Sequence, residues 1–265
     1  PEERTNKSYI NRNVAYAIMA RVQLVMGNWQ EAANAAAIAR QGYPLNPNQY
    51  PMGFDDMNAS EWIWAMPQRA DQTNYFYIAP HSFTDNINDG YGKAYWNKDF
   101  VSLFSSSDVR NTFFDIYGLG NSNQYYARAS YKFTFDFNSD IPIIRSPEMM
   151  LIEIEANARL GKESEASTML FSLQQNRDPD AVASGNSGNA LIEEILIERR
   201  KELYGEIGVE WFDAKRLRKG ITRTGNHRVG NSANLLPDDK KFFLKIPQKE
   251  IDANLNIDES INSNR

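Results

Sequence analysis

Two histidines, His81 and His227, and no cysteine stand among the 265 residues of this chain, so the side chains most used for covalent and metal chemistry are scarce. A triad or a zinc site would have to be built on those two rings, and no HExxH is present. Gly185-Asn-Ser187-Gly-Asn189 misses the nucleophile elbow GxSxG, because Asn189 stands where its second glycine belongs. Gly118-Leu-Gly120 is a fragment of a dinucleotide loop without the strand and helix that give such a loop meaning. Asp85-Asn-Ile-Asn-Asp-Gly90 resembles a calcium loop until Ile87 falls on the third ligand position and Trp96 on the twelfth. Carboxylates for glycoside hydrolysis pair in space rather than in sequence, and nothing singles out one pair. No catalytic residue, metal ligand or cofactor is therefore assigned. What one long segment does supply is flat rings beside short polar groups: Tyr75, Tyr77, Tyr91, Tyr95 and Trp96, with Asp85, Asn88 and Asp89. Rings of that kind stack on the C–H face of a pyranose, and fixed amides and carboxylates hold its hydroxyls. The competing reading is that such rings form the loop's own small core. Trp62 and Trp64, two residues apart on a short strand, are expected to share a buried face.

A second concentration of chemistry lies at Ile195-Leu-Ile-Glu-Arg-Arg-Lys-Glu-Leu-Tyr-Gly-Glu-Ile-Gly-Val-Glu-Trp-Phe-Asp-Ala-Lys-Arg216. Charges that dense, beside bulky aromatics, cannot all face water. Ion pairs where two helices meet are expected, and such pairs fix which helix docks where more than they add stability. Trp211 and Phe212 read as core residues.

Helices must position these groups. Residues 8–26 carry Val14, Ala17, Ile18, Arg21, Leu24 and Val25 at helical spacing, and Gly27 ends the run. Asn28, with Glu31 three residues on, has the spacing of a capping box for an alanine-rich helix from Gln30 to about Gln41. Gly42 and Pro44 close this hairpin. The plan returns at Ser146-Pro147-Glu148, a cap, a first-turn proline and an acid at the positive end of the helix dipole. Met150, Leu151, Ile154 and Ala158 form its stripe, and Gly161-Lys-Glu-Ser-Glu-Ala166 parallels Gly27-Asn-Trp-Gln-Glu-Ala32. A glycine, a small residue five later and a closing proline in a span of about 34 residues is the tetratricopeptide pattern. The copies are too far apart for a tandem array, so residues 45–145 must loop out between them. That insertion is rich in aromatics, Asn, Asp and Gly, with a short strand expected at Glu61–Met66 and a helical turn at Phe100–Phe104. A flexible link over 183–189 leads into a helix over 190–204, and Phe242–Pro247 is expected as an extended piece packed back on the body.

Composition narrows the rest. Hydrophobic residues at 42% and charged ones at 24% are globular values, while a net charge of −5 argues against a nucleic-acid partner. No apolar run approaches the ~20 residues needed to span a bilayer. The chain opens on Pro1 with neither an initiator Met nor a signal peptide, the expectation for a fragment or a processed form.

Three stretches together resemble the SusD/RagB family of surface glycan-binding proteins. They are Ala15-Tyr-Ala-Ile-Met-Ala-Arg-Val-Gln-Leu-Val-Met-Gly-Asn-Trp-Gln-Glu-Ala-Ala33, Arg145-Ser-Pro-Glu-Met-Met-Leu-Ile-Glu-Ile-Glu-Ala-Asn-Ala-Arg-Leu-Gly161, and Glu198-Arg-Arg-Lys-Glu-Leu-Tyr-Gly-Glu206 running on to Trp211-Phe-Asp-Ala-Lys-Arg216. Asp108-Val-Arg110 and Ile246-Pro-Gln-Lys-Glu-Ile-Asp-Ala-Asn254 are weaker echoes. Family patterns usually carry Leu where Ala214 stands, and the family's N-terminal half, with its lipid-bearing Cys and first helical pairs, has no counterpart in this sequence.

The resemblance implies a mainly α fold of tetratricopeptide-like hairpins with a long loop-rich insertion containing short strands. Residues 1–265 would form one domain: a hairpin over 1–44, the insertion over 45–145, a hairpin and following helices over 146–220, and a packing tail over 221–265. It also implies a non-catalytic protein on the outward face of a bacterial outer membrane, attached through a lipidated N-terminus lying outside this chain. Its partners would be an oligosaccharide and a SusC-like TonB-dependent porin. The expected glycan site is Tyr75, Tyr77, Asp85, Asn88, Asp89, Tyr91, Tyr95 and Trp96. Arg145, Glu148, Glu155, Arg199, Arg200, Glu202, Asp213 and Arg216 fall in the shared motifs and are expected to be structural. A tetratricopeptide scaffold for a peptide, or an all-α glycoside hydrolase, stands as the alternative.

Overall fold

The computed structural model describes residues 3–69, 71, 84, 94–120, 123–134, 138–206, 208–229 and 234–263. Two helical hairpins form its frame: α1 (Arg12–Met26) with α2 (Trp29–Ala39), and α5 (Ser146–Arg159) with α6 (Glu163–Arg177). Gly27 and Gly161 sit at φ 75° and 78°, left-handed backbone that a residue without Cβ adopts at least cost. The mainly α, tetratricopeptide-like fold is as the sequence implies. Between the hairpins run α3 (Gln49–Met52), β1 (Trp62–Met66), α4 (Lys98–Val101), β2 (Phe113–Asp115), β3 (Arg128–Ser130) and β4 (Ile141–Arg145). After them come α7 (Gly188–Leu203), α8 (Val209–Leu217) and α9 (Gln248–Ala253).

The alanines of α2 explain the stacking. Ala32, Ala35, Ala36 and Ala39 are buried, so α2 lies close between α1 and α5. Leu170 and Leu173 of α6, with Leu191 and Ile195 of α7, pack on the opposite side of α5. Helix α5 is thus buried all round from Ser146 to Ala158, carboxylates included. Each of those acids has a cation: Arg21 bonds Glu148 at 2.8 and 2.6 Å, Arg40 bonds Glu153 at 2.7 Å, and Arg216 grips Glu155 at 2.8 and 2.7 Å. For Glu155, burial pushes the carboxyl up, but Arg216 and Arg159 outweigh it and hold the group below the usual carboxylate range.

Several local expectations change. Ile18 and Val25 do not join the buried stripe of α1; Val14, Ala17, Ala20 and Leu24 do, and Val25 is left 60% exposed. Asn28 makes no capping bond to α2: its backbone stands at ψ 75°, outside the extended conformation a cap adopts, and its Nδ2 donates to Gln23 Oε1 at 2.7 Å. Arg145, not Ser146, precedes the first turn of α5, and Ser146 Oγ is buried inside the helix without a partner. Trp62 and Trp64 part company: antiparallel pairing of β1 with β4 slips on both sides of Trp64. The slips break the alternation, sending Trp62 into an aromatic core with Phe54 and Phe133 while Trp64 packs toward the α1–α2 hairpin.

Phe212 is the clearest reversal. The inward side of α8 is taken by Asp213 and Arg216, which bond Arg199 and Glu155, so the ring is turned to a groove facing Val22, Val25 and Met26 of α1, 61% exposed. Trp211 is partly buried, 5.0 Å from Phe242 of the C-terminal segment. Lys240–Phe242 forms a 3₁₀ turn, Phe243 after it is extended at φ −111° and ψ 123°, and the buried Phe242 ring holds that segment to the body.

Candidate functional site

The insertion is anchored through an ionic junction free of water-exposed charge. Glu202, near the end of α7, accepts from Arg145 at 3.0 Å, Arg177 at 3.1 Å and Arg110 at 3.3 Å. Glu61 accepts from Arg177 at 2.8 Å and from Arg145 at 3.1 Å, while Arg110 is bidentate to Asp108 at 2.9 Å. Burial pushes the Glu202 carboxyl up, yet Arg177, Arg145 and Arg110 outweigh it and hold the group well below the usual carboxylate range. Lys132 Nζ sits beneath this junction, donating to Glu206 at 2.9 Å and to the Tyr204 carbonyl at 2.9 Å. Burial there brings its pKa down to about 8, against the opposing pull of Glu206. Of the motif residues read as structural, only Arg200 stands apart, more than half exposed and 3.7 Å from Glu210.

Beyond the junction, three segments of chain bring tyrosines to the surface. Asn97 Nδ2 donates to the Thr224 carbonyl, Asn226 Oδ1 accepts from the Lys98 amide at 2.9 Å, and Asn226 Nδ2 reaches the Gln124 carbonyl at 2.8 Å. These amides tie residues 97–98, 124 and 224–226 together. On that support Tyr125 and Tyr126 lie edge to face at 5.0 Å, Tyr117 meets Tyr126 at 5.7 Å, and Tyr95 meets Tyr125 at 6.2 Å. The Tyr95 and Tyr117 hydroxyls are 3.4 Å apart, and the Arg228 guanidinium lies 5.4 Å from the Tyr125 ring centre. Burial and that hydroxyl contact push the Tyr95 pKa up to about 12, so it stays a neutral hydrogen-bonding group. Asp115 shapes the turn that carries Tyr117, accepting from the backbone N–H of Leu119 at 2.9 Å and of Tyr117 at 3.3 Å. Next to it, Phe114 and Tyr131 stack at 4.2 Å on the β2–β3 ribbon.

Of the expected glycan residues, Tyr95 belongs to this tyrosine face. Trp96, its neighbour, points the other way: its ring meets Tyr204 edge-on at 4.8 Å and Phe100 at 6.0 Å, inside the aromatic core. Its indole nitrogen is buried without a partner. Tyr75, Tyr77, Asp85, Asn88, Asp89 and Tyr91, and with them the near-calcium loop over 85–90, lie outside the described residues. Among the described residues no cluster of three or more His, Asp or Glu is arranged to hold a metal ion, and no helix is long and apolar enough to cross a membrane.

A sequence model of the SusD family matches residues 35–263, most of the chain. The chain belongs to the SusD family. It is 26% identical over 212 residues to the SusD-like protein P38 of Formosa agariphila, covering 74% of this chain and 39% of that protein. A SusD-like carbohydrate binding protein from Bacteroides vulgatus superposes with a TM-score of 0.83 at 25% identity, over 96% of this chain and 60% of that one. A SusD superfamily protein from Bacteroides thetaiotaomicron gives 0.81 at 27% identity, over 96% and 61%. The chain therefore spans about three-fifths of these solved relatives and less of the curated one.

Within this SusD-family chain, Tyr117, Tyr125, Tyr126 and Arg228 escape a reading by spacing. Their convergence depends on Asn97 and Asn226 joining segments about a hundred residues apart. The Tyr125-Tyr126 pair, set among Gly118, Gly120, Asn121 and Asn123, is the one local signal that points to them.

Proposed function

We propose that this chain is the glycan-binding part of a non-catalytic surface protein that captures oligosaccharides for uptake through a SusC-like TonB-dependent porin in the outer membrane. The observation that carries the reading is the tyrosine face: Tyr95, Tyr117, Tyr125 and Tyr126, gathered from separate segments, with hydroxyls and ring edges at the surface. An immobilised aromatic face beside amide groups is suited to the alternating C–H and O–H character of a sugar. Family membership and the carbohydrate-binding relative from Bacteroides vulgatus support the same reading. Glu202, enclosed by three guanidiniums, stays ionised and has no proton to lend a leaving group. The six sequence-expected residues Tyr75, Tyr77, Asp85, Asn88, Asp89 and Tyr91 are proposed to take part in glycan binding as well. Single-domain organisation over residues 1–265 and attachment through a lipidated N-terminus complete the reading.

Calorimetric titration with a panel of neutral and acidic oligosaccharides tests it. Saturable heats that vanish in Tyr117→Ala, with no reducing-sugar release, are expected. Flat heats across the whole panel, or binding indifferent to Tyr117, would overturn it.

A second reading has one observation in its favour. The groove of about 430 Å³ between α1 and α8 is open and apolar, lined by Val22, Val25, Met26 and Phe212. A helix presenting apolar side chains would fit it, as in a tetratricopeptide scaffold. Protection of Met26 from oxidation by a bound amphipathic peptide would favour that reading.

A further inference from the structure

A different cavity, of about 530 Å³, opens between the end of α7, helix α8 and residues 219–223. Its apolar wall includes Leu203, Val209 and Trp211, and its cations are Arg199, Arg200, Lys219 and Arg223. Only Glu210 and Asp213 oppose them on the lining. Asp213 is already divided between two guanidiniums, accepting from Arg199 Nε and from Arg216 Nε, each at 2.7 Å. Lys219 is itself paired with Glu193, and Arg200 lies 3.7 Å from Glu210, so the positive excess on the lining rests on Arg223.

Two of its donors have nothing to bond. Arg199 is 4% exposed, and its Nη1 is buried with no acceptor. Arg223 Nη1 is in the same condition, and among the described residues no carboxylate lies within ion-pair distance of that side chain. Buried donors are nearly always satisfied, so two orphaned guanidinium N–H groups on one cavity call for an explanation. Nor is Arg223 on a loose loop. Ile221 and Leu235 exchange both backbone hydrogen bonds at 2.9 Å, and the Arg223 amide donates to Asn234 Oδ1 at 2.7 Å. Gly220 lets this pairing close: at φ 67°, any Cβ there would lie 3.1 Å from the Leu236 carbonyl carbon.

We propose that this cavity binds a small ligand bearing a carboxylate or sulfate oxyanion, held by Arg223 with its body against the Trp211 wall. An oxyanion offers several acceptor lone pairs in the planar arrangement a guanidinium matches, and the apolar wall accommodates the uncharged remainder. Because the Arg223 Nη1 is closed to water, binding turns that half-buried side chain toward the ligand, while the Arg199 guanidinium, fixed on Asp213, contributes its charge from behind. The site is separate from the tyrosine face and does not rest on its reading.

The test titrates the full chain with sodium glucuronate, sodium sulfate and glucose at constant ionic strength, by calorimetry. Saturable binding of glucuronate, of sulfate or of both, with none of glucose, is expected; which anion binds tells carboxylate from sulfate. Arg223→Gln should weaken it roughly ten-fold or more, as losing a charge-assisted contact does, without moving the thermal midpoint. Arg223→Lys should retain part of the affinity. Arg199 bonds across to α8, so it is left in place. Binding of neither anion, glucose binding as well as glucuronate, or an Arg223→Gln variant that binds like the parent would overturn the proposal. So would loss of anion binding in Tyr117→Ala, which would move the anion to the tyrosine face.

Discussion

The ionic junction and the tyrosine face use opposite means on the same segment of chain. At the junction, Arg110, Arg145, Arg177, Glu61 and Glu202 are buried, and every carboxylate has at least two cationic partners. At the face, Tyr95 and Tyr126 are half-buried while Tyr117 and Tyr125 reach solvent, and the organising bonds come from neutral amides. A buried guanidinium is directional and intolerant of misplacement, which suits joining β4, α6 and α7 in one arrangement. Rings at a surface keep their stacking area free while their support stays rigid, which suits meeting a ligand. The difference assigns position to one region and contact to the other.

The largest effect expected from breaking this division is at Glu202. Glu202→Ala strands three guanidiniums in a dry interior, and unfolding in urea should show a loss of about 3–5 kcal/mol. Tyr117→Ala should stay within ~0.5 kcal/mol of the parent, as surface changes do. Equal losses would mean that the tyrosine face, too, holds the fold together.

Lys132 gives the same comparison a pH signature. Its folded pKa of about 8 lies below the ordinary 10.5, so between those values the unfolded chain holds a proton that the folded one has released. Stability should therefore rise with pH from about 8 toward 10, by on the order of 2–3 kcal/mol at 1.36 per unit. In Lys132→Met the rise should be absent. The carboxylates act at the other end: Glu202, Glu206 and Glu155 all have lowered folded values, so their contribution is present above the ordinary range and is lost as the solution is acidified below it. Unfolding followed by circular dichroism from pH 3 to 10 checks both limbs.

The frame was legible because it rests on local rules. Glycine at a left-handed turn and alanine where two backbones approach leave marks in sequence, and Gly27, Gly161 and the alanines of α2 carry them. The ion pairs were legible as a class, since Arg145, Glu202, Asp213 and Arg216 had nowhere else to go. Their partners were not: Glu61 reaches Arg145 and Arg177, and Arg110 reaches Glu202, only after the insertion folds back, which no spacing encodes. The face was legible in composition but not in membership. Tyr95 and Trp96 are adjacent, and backbone direction alone sends one to the surface and the other to the Tyr204 core.

The smallest effect is expected at Phe212, where the sequence reading and the structure disagree. A core phenylalanine truncated to a small residue costs about 3–5 kcal/mol. With 61% of its surface exposed in the α1–α8 groove, Phe212→Ser should instead change stability by about 0.5 kcal/mol or less. Val25→Ser, on the facing helix and 60% exposed, should behave alike, and the double variant should be additive because neither ring nor methyls leave a sealed cavity. A loss above 2 kcal/mol in Phe212→Ser would show the groove closed in solution, and would move this residue from the contact side of the division to the positioning side.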